Sequence, residues 1–436
     1  MPMHLAAFLI AGNAAHSQGL WRHPASTPGG FLQLDYYRHV ARTLERGRFD
    51  LLFFADRLAV STRYGEHHAH GIAVGDQDAT RLDPLPLLGA LAAVTRHIGL
   101  GATRSTTYSQ PYSLAREFAT LDHLSGGRAA WNVVTSVNQG EADNFGLEQT
   151  LPHDVRYDRA DEFLDVTHKL WRSWQADALL LAPDGRYADA ARVAAIDHAG
   201  PHFKVRGPLN IPSTPQRSPV IIQAGSSDRG QDFAARWAEV VFNIQPDLAR
   251  MQRFYDDLKG RAQRFGRQPG EIKVLSAVMP FVAGSRAHAE ELREQSNALA
   301  DPLVGLSTLS SHMNVDFSAH ALDAPLADMQ VSGIQGLFKL LQEVSSQRQL
   351  TLADAGRLYA QGVLVPQVAG TAGDIADWLE HIVAERGADG FVITPAHLPR
   401  GFDDFVAHVV PELQRRGSLR RQYSGRHLRQ HLSRPA

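Results

Sequence analysis

The chain has 436 residues, a charge balance near zero (44 Lys and Arg against 46 Asp and Glu) and no cysteine. The balanced charge produces no field that would attract nucleic acid or a membrane surface. The lack of cysteine excludes disulfides, thiolate nucleophiles and cysteine-ligated metal centres. Any chemistry must therefore come from other side chains or from a bound cofactor.

The N-terminal run MPMHLAAFLIAGNAAHSQG is apolar but short, and it has neither a preceding basic region nor an A-x-A cleavage signal. These features predict a first strand rather than a secretory peptide. No stretch approaches the roughly 18 consecutive apolar residues of a membrane span. We therefore expect a cytoplasmic protein.

Short apolar runs then alternate with longer amphipathic segments, which is typical of βα units around a parallel sheet. The predicted strands are 4–10, 51–55, 98–102, 129–135, 220–224, 240–244, 272–282 and 390–394. The predicted helices are 35–46, 84–95, 113–124, 156–174, 229–237, 248–265, 372–385 and 402–415. Eight strands, each followed by a helix, predict an α/β fold with a closed eight-stranded β/α (TIM) barrel.

Such a barrel needs only about 250 residues, so we expect one domain over 1–436 with the surplus in insertions. Segment 176–218 is predicted to be a hairpin-bearing excursion. Segment 285–368, with helices at 334–347 and 351–361, falls between the seventh strand and the last βα unit and is predicted to form a helical cap over the barrel mouth. The basic tail at about 415–436 is typical of a subunit contact or a loose tail, with a nucleic-acid arm as the alternative.

Side chains that follow the strands of a β/α barrel lie at its catalytic face. Asp56 follows the second strand and is either a carboxylate that projects into the barrel mouth or a cap for the next turn. Thr103 follows the third strand, and its hydroxyl either bonds a ligand or caps the next helix. Asn132 lies inside the apolar fourth strand, where an unpaired amide costs about 1–3 kcal/mol. It needs a partner, either in the barrel core or on a ligand.

The fifth strand runs through Gly225, Ser226 and Ser227 into a helix, an arrangement that binds phosphate at a helix N-terminus. The two serines could equally be simple N-caps. G-x-G-x-x-G is absent, so a nicotinamide site is unsupported. His153 and Tyr157 lie four residues apart, on one face of the next predicted helix. The histidines at 67–70 have no matching carboxylate spacing, which favours a polar loop, and no metal site is expected.

Taken together, these segments resemble the flavin-dependent monooxygenases of the bacterial luciferase-like superfamily, in the nitrilotriacetate and dibenzothiophene-sulfone monooxygenase branch. The resemblance spans nearly the whole chain. It rests on Trp21-Arg22-His23-Pro24, Phe54-Ala55-Asp56, LDHLSGGR at 121–128, WNVVTS at 131–136, HDVRYDRADE at 153–162, GPLN at 207–210, QAGSS at 223–227, GT at 370–371 and ADGF at 388–391.

The resemblance implies a barrel that binds reduced FMN delivered by a separate NAD(P)H:flavin reductase. In this family O2 reacts at the flavin C4a position, and the resulting peroxyflavin oxygenates the substrate. Carried over, Ser226 and Ser227 would hold the FMN phosphate. Asp56, Thr103 and Asn132 would line the isoalloxazine, and His153 and Tyr157 would contact the ribityl–phosphate arm. His16 and Trp21 would lie on the substrate side, so His16, Trp21 and His153 are the expected catalytic residues.

The branch also implies substrates that are attacked beside a heteroatom, and a homodimer or homotetramer. We expect an organosulfur compound (a thioether, a sulfone or an S-substituted cysteine derivative) and C–S cleavage. The alternatives are an aminopolycarboxylate with C–N cleavage, a deazaflavin-dependent hydride transfer on the same fold, and a barrel that has lost catalysis. Four arginines near the predicted mouth could pair with a substrate carboxylate: Arg22, Arg57, Arg63 and Arg104.

Overall fold

The computed structural model describes residues 2–13, 16–326, 329, 331 and 333–433. Its strands are His4–Ile10 (β1), Leu51–Ala55 (β2), Gly99–Ser105 (β3), Ala129–Val134 (β4), His198–Ala199 (β5), Lys204–Val205 (β6), Val220–Gln223 (β7), Val240–Asn243 (β8), Lys273–Val282 (β9), Gln367–Gly370 (β10) and Gly390–Ile393 (β11).

The helices lie between and after these strands. They are Leu34–Arg46 (α1), Ala69–Val74 (α2), Pro84–Ala92 (α3), Pro111–Ser125 (α4), Gln139–Asn144 (α5), His153–Arg172 (α6), Asp228–Trp237 (α7), Leu248–Arg264 (α8), Arg286–Ala298 (α9), Pro302–Met313 (α10), Gln335–Arg348 (α11), Leu352–Gly362 (α12), Ala372–Ala384 (α13), Arg400–Asp404 (α14), Val410–Arg416 (α15) and Leu428–Ser433 (α16). None of these helices is long and apolar enough to cross a membrane.

Eight parallel strands close into a barrel in the order β1-β2-β3-β4-β7-β8-β9-β11, with β11 pairing back onto β1. The predicted eight-stranded β/α barrel is confirmed. A further strand, β10, pairs in parallel with the C-terminal end of β9 outside the ring. We did not predict β10, because its four residues directly follow Pro366 and do not stand out from a loop.

Alternate residues of each strand divide the core into two layers. In β1, Leu5, Ala7 and Leu9 pack towards the surrounding helices. Ala6, Phe8 and Ile10 pack inside the barrel. The inner layer therefore consists of every second residue of the ring strands, and its last members reach the C-terminal mouth.

The basic tail, as far as Ser433, is folded rather than loose. Leu428 and Leu432 of α16 join the inner layer of the barrel core and are 0% and 5% exposed. Arg429 forms an ion pair with Glu239 and donates to the backbone carbonyls of Gln216, Ser218 and Pro219. The tail thus closes the barrel floor, which its charge pattern alone did not predict.

The chain between β9 and β10 carries α9 to α12 and has a hydrophobic core of its own, which includes Leu309, Phe317 and Tyr359. Helices α10 and α12 cross closely, since a Cβ on Gly305 would lie 1.8 Å from the Gly356 carbonyl oxygen. Only glycine permits this approach. We call residues 286–362 the cap. In the other long excursion, β5 and β6 form a short antiparallel hairpin.

Candidate active site

A cavity of about 290 Å³ lies at the C-terminal ends of the ring strands, beneath the start of α11. Three inward phenylalanines form one wall, with ring centroids 5.7 Å apart for Phe8 and Phe53 and 5.1 Å apart for Phe53 and Phe242. The other lining residues are His16, Ala55, Asn132, Ala224, Gly225, Ser226, Asn243, Ile244, Gln245, Phe254, Ala277, Ile334, Gly336, Leu337, Leu340 and Val392. The wall is mostly apolar, with a few polar groups, as in small-molecule sites.

Asn132 presents a hydrogen-bond acceptor without a partner at this wall. The Thr103 hydroxyl donates to the Phe54 carbonyl (3.0 Å), so its oxygen accepts from the Asn132 amide nitrogen (2.9 Å). This chain fixes the orientation of the amide and leaves Asn132 Oδ1 without a partner. A buried acceptor without a partner lowers the stability of the fold, and a hydrogen bond from a ligand N–H would restore that free energy. The barrel therefore provides a hydrogen-bond partner for the amide nitrogen of Asn132, and the carbonyl oxygen is available to a ligand.

Ser226 and Ser227 stand where β7 leads into α7. The Ser227 hydroxyl caps α7 by accepting from the Gly230 N–H (3.1 Å), and it lies 3.2 Å from His153 Nε2. A Cβ on Gly230 would lie 2.7 Å from the Tyr157 hydroxyl, so glycine lets Tyr157 approach the start of the helix. Burial raises the pKa of Tyr157, which keeps its hydroxyl a donor. The structure thus brings Ser227, His153 and Tyr157 together at a helix N-terminus, where anions are favoured.

His16 lies in the wall of the same cavity as a neutral ring. Its ring centroid is 3.9 Å from that of Phe8, and its Nδ1 has no hydrogen-bond partner. Burial, helped by the nearby positive charge of Arg81, lowers the pKa of His16 to about 3. At neutral pH this imidazole carries no charge and can donate from one nitrogen and accept at the other.

Asp56 and Trp21 are not among the residues that line the cavity. Asp56 lies 3.3 Å from Arg104 in an ion pair, and burial raises its pKa to about 6. The Trp21 indole is 37% exposed and donates to the Val74 carbonyl (3.3 Å). The roles implied for Asp56 and Trp21 stay predictions.

The four candidate arginines are likewise engaged with the protein. Arg22 donates to the Leu299 carbonyl, Arg57 pairs with Asp78, Arg63 donates to Asn314, and Arg104 pairs with Asp56 and Asp83. None of the four is among the lining residues of the cavity. Within the described ranges, no three His, Asp or Glu side chains are grouped so that they could hold a metal ion.

Most of the apolar wall was not predicted from the sequence. The period-two alternation of β1, β2 and β8 places Phe8, Phe53 and Phe242 inside the barrel, and this signal could have identified them. No comparable signal exists for Ile334 and Leu337, because the cap reaches the cavity through tertiary packing.

Comparison with known proteins agrees with this fold. A family model described as luciferase-like monooxygenase matches residues 9–390. Dibenzothiophene-sulfone monooxygenase of Rhodococcus erythropolis (strain XP) is 50% identical over 99% of this chain and 96% of that protein. Nitrilotriacetate monooxygenase component A of Aminobacter aminovorans is 42% identical over 98% of this chain and 95% of that protein.

A crystal structure of the riboflavin lyase RcaE, solved with modified FMN and its substrate riboflavin, superposes with a TM-score of 0.93. It is 32% identical and covers 99% of this chain and 96% of that one. The similarity therefore extends over the barrel, the cap and the closed floor.

Proposed function

The chain belongs to the luciferase-like monooxygenase family, and from that premise we propose that it uses reduced FMN and O2 to oxidise an organosulfur compound. When bound, the reduced flavin supplies two electrons and two protons, so that one oxygen atom is transferred to the substrate and the other leaves as water. The protein must position the two reactants and exclude bulk water.

The residues of the cavity wall, together with Thr103 behind it and the cluster at the start of α7, fit a phosphorylated flavin. Ser226 and Ser227, with the N-terminus of α7, would hold the phosphate, and His153 and Tyr157 would contact the adjoining arm. The Asn132 carbonyl oxygen, which has no partner, would accept from a ring N–H. Thr103 would act through Asn132, whose amide it orients. His16, neutral at the wall, would hold a polar group of the substrate without adding charge.

The uncharged cavity wall is the observation that carries the choice of substrate. No Asp, Glu, Lys or Arg is among its described lining residues, and the four nearby arginines already have protein partners. A substrate with several carboxylates would lose its hydration there without gaining ion pairs, which is costly. A neutral sulfone or thioether loses little hydration free energy when it enters the cavity. The wall therefore supports a neutral organosulfur substrate, a sulfone or a thioether, over an aminopolycarboxylate.

We also propose a separate reductase partner. The relative from Aminobacter aminovorans is named as one component of its monooxygenase, which supports a second component that supplies the reduced flavin. The homodimer or homotetramer and the cytoplasmic location expected from the sequence remain part of this proposal.

The test combines cofactor titration with a substrate panel. Purified protein is titrated anaerobically with reduced FMN and with a reduced deazaflavin, and then exposed to O2 with a sulfone, a thioether or an aminopolycarboxylate. We expect saturable FMN binding and oxygenation of a sulfur compound. Tight deazaflavin binding without FMN binding would support hydride transfer instead, and turnover of the aminopolycarboxylate alone would overturn the choice of substrate.

A further inference from the structure

A buried polar cluster lies beside the cavity and is not used by the chemistry described above. The Asp78 side chain is 0% exposed and pairs with Arg57 and with Arg81, the latter at 2.7 Å. The Ser311 hydroxyl donates to Asp78 (3.0 Å) and accepts from Arg57 (2.6 Å) and from the Asn138 amide (3.1 Å). Burial alone would raise the pKa of Asp78, but Arg57 and Arg81 hold it below its ordinary value, so the carboxylate stays charged.

This cluster joins the barrel to the cap. Asp78 and Arg57 belong to loops at the barrel mouth, whereas Ser311 lies in the last turn of α10. The next two residues of α10 hold the two residues that precede α11 through their backbone. The His312 carbonyl accepts from the Ile334 N–H (2.9 Å), and the Met313 carbonyl accepts from the Gly333 N–H (2.9 Å).

The segment held in this way forms the roof of the cavity. Ile334 and the first turns of α11 line the cavity from above, through Gly336, Leu337 and Leu340. The backbones are in direct contact, because a Cβ on Gly333 would lie 2.0 Å from the His312 carbonyl oxygen. A path therefore runs from Asp78 through the Ser311 hydroxyl, along the backbone of the last turn of α10, and through two backbone hydrogen bonds to the roof.

We propose that Asp78, Arg57 and Ser311 are positioning residues that latch the roof over the cavity and so couple oxygen consumption to product formation. The coupling part of this inference rests on the proposed monooxygenase function. A buried ion pair contributes little net stability compared with apolar packing, but its hydrogen bonds fix one geometry between the two parts that it joins. If the latch loosens, water enters the cavity, and O2 is reduced to hydrogen peroxide by the flavin without substrate oxygenation.

The decisive variant is Ser311→Ala, with Ser310→Ala as its matched control. Ser310 is also fully buried in α10, but its hydroxyl accepts from the Phe317 N–H (3.2 Å) and lies outside the cluster. Hydrogen exchange is measured at the Gly333 and Ile334 amides of the flavin-free protein. We expect about tenfold faster exchange in Ser311→Ala and wild-type exchange in the control, because local opening sets this rate.

The second readout is product formed per O2 consumed, together with FMN affinity. Ser311→Ala is expected to lower the product yield several-fold while FMN affinity stays within about twofold of the wild type, and Arg57→Lys is expected to keep part of the yield. Equal exchange in Ser311→Ala and Ser310→Ala, or an unchanged yield, would overturn the latch. The exchange measurement needs neither flavin nor substrate. A wild-type chain that oxygenates nothing would therefore contradict the proposed function, while the exchange data still decide whether the roof is latched.

Discussion

The two ends of the barrel are built from the same strands but differ in what lies between them, since apolar side chains fill the floor and the mouth surrounds a cavity. At the floor, the buried Asp50 carboxylate lies 2.7 Å from Arg420 and 3.3 Å from His4, and Leu428 fills the space between the strands. At the mouth, the same strands surround a cavity, and Asn132 Oδ1 and His16 Nδ1 have no hydrogen-bond partner.

Buried polar atoms without a hydrogen-bond partner occur at both ends, among them Arg420 Nε at the floor, but those of Asn132 and His16 belong to residues that line this cavity. Each unsatisfied buried polar atom costs about 1–3 kcal/mol. The unpaired atoms at the mouth therefore lower the free energy of unfolding, as unpaired groups at functional sites often do. We therefore expect substitutions at the floor to change the free energy of unfolding and substitutions at the mouth to change ligand binding.

The largest expected effect is at the floor. Leu428→Ala should lower the free energy of unfolding by about 3 kcal/mol, since it leaves a void in the closed inner core, and FMN affinity should stay unchanged. Urea denaturation and FMN titration measure the two quantities, with the exposed Leu322→Ala as a control expected within about 0.5 kcal/mol of the wild type. Loss of flavin affinity at unchanged stability would contradict the division between the two ends.

The double variant Ser226→Ala/Ser227→Ala should have the converse result. FMN affinity should fall by about a hundredfold because two hydrogen bonds to a charged group are lost, while the free energy of unfolding falls by only about 1 kcal/mol for the lost cap. Ser285→Ala is the matched control, because Ser285 caps α9 in the same way. Ser285→Ala should lower the free energy of unfolding by a similar amount without changing FMN affinity. Unchanged FMN affinity in the double variant would contradict the assignment of the two serines to the phosphate.

The pH dependence of stability tests whether His16 is buried as a neutral ring. Burial lowers its pKa from the ordinary value of 6.5 to about 3, so between these values the unfolded chain binds the additional proton. Stability is therefore lost as the pH falls below about 6.5, with a slope of up to about 1.4 kcal/mol per pH unit from this residue. His16→Gln should remove that contribution when both proteins are unfolded at a series of pH values, and identical slopes would show that His16 is not buried as a neutral group.

The smallest expected effect is that of Asn132→Leu. Because Asn132 Oδ1 has no partner, an apolar side chain of similar size should leave the free energy of unfolding within about 1 kcal/mol of the wild type or raise it. FMN affinity should fall by about fivefold to tenfold, which corresponds to the loss of one neutral hydrogen bond. A large loss of stability with unchanged FMN affinity would show that Asn132 belongs to the barrel core alone.

The strands and the loop that follows β7 were predictable because their signals are local. The predicted bounds of β1 and β2 agree with the structure, and the glycine-serine run ahead of α7 lies at the mouth as expected. The roof over the cavity and the floor under it depend on contacts between residues far apart in the chain, such as Ser311 with Asp78 and Leu428 with the barrel core. The resemblance implies that Asp56 lines the isoalloxazine; its carboxylate forms an ion pair with Arg104, and its contact with the flavin stays a prediction.

A single-turnover experiment with isotopically labelled O2 tests the central claim most directly. Protein loaded anaerobically with chemically reduced FMN is mixed with a sulfone and labelled O2, so that no reductase is needed. We predict one labelled oxygen atom per product molecule with the wild type, and almost none with Ser226→Ala/Ser227→Ala at the same FMN concentration. If the folded wild type binds reduced FMN but transfers no labelled oxygen to any sulfur compound of the panel, the proposed function is wrong.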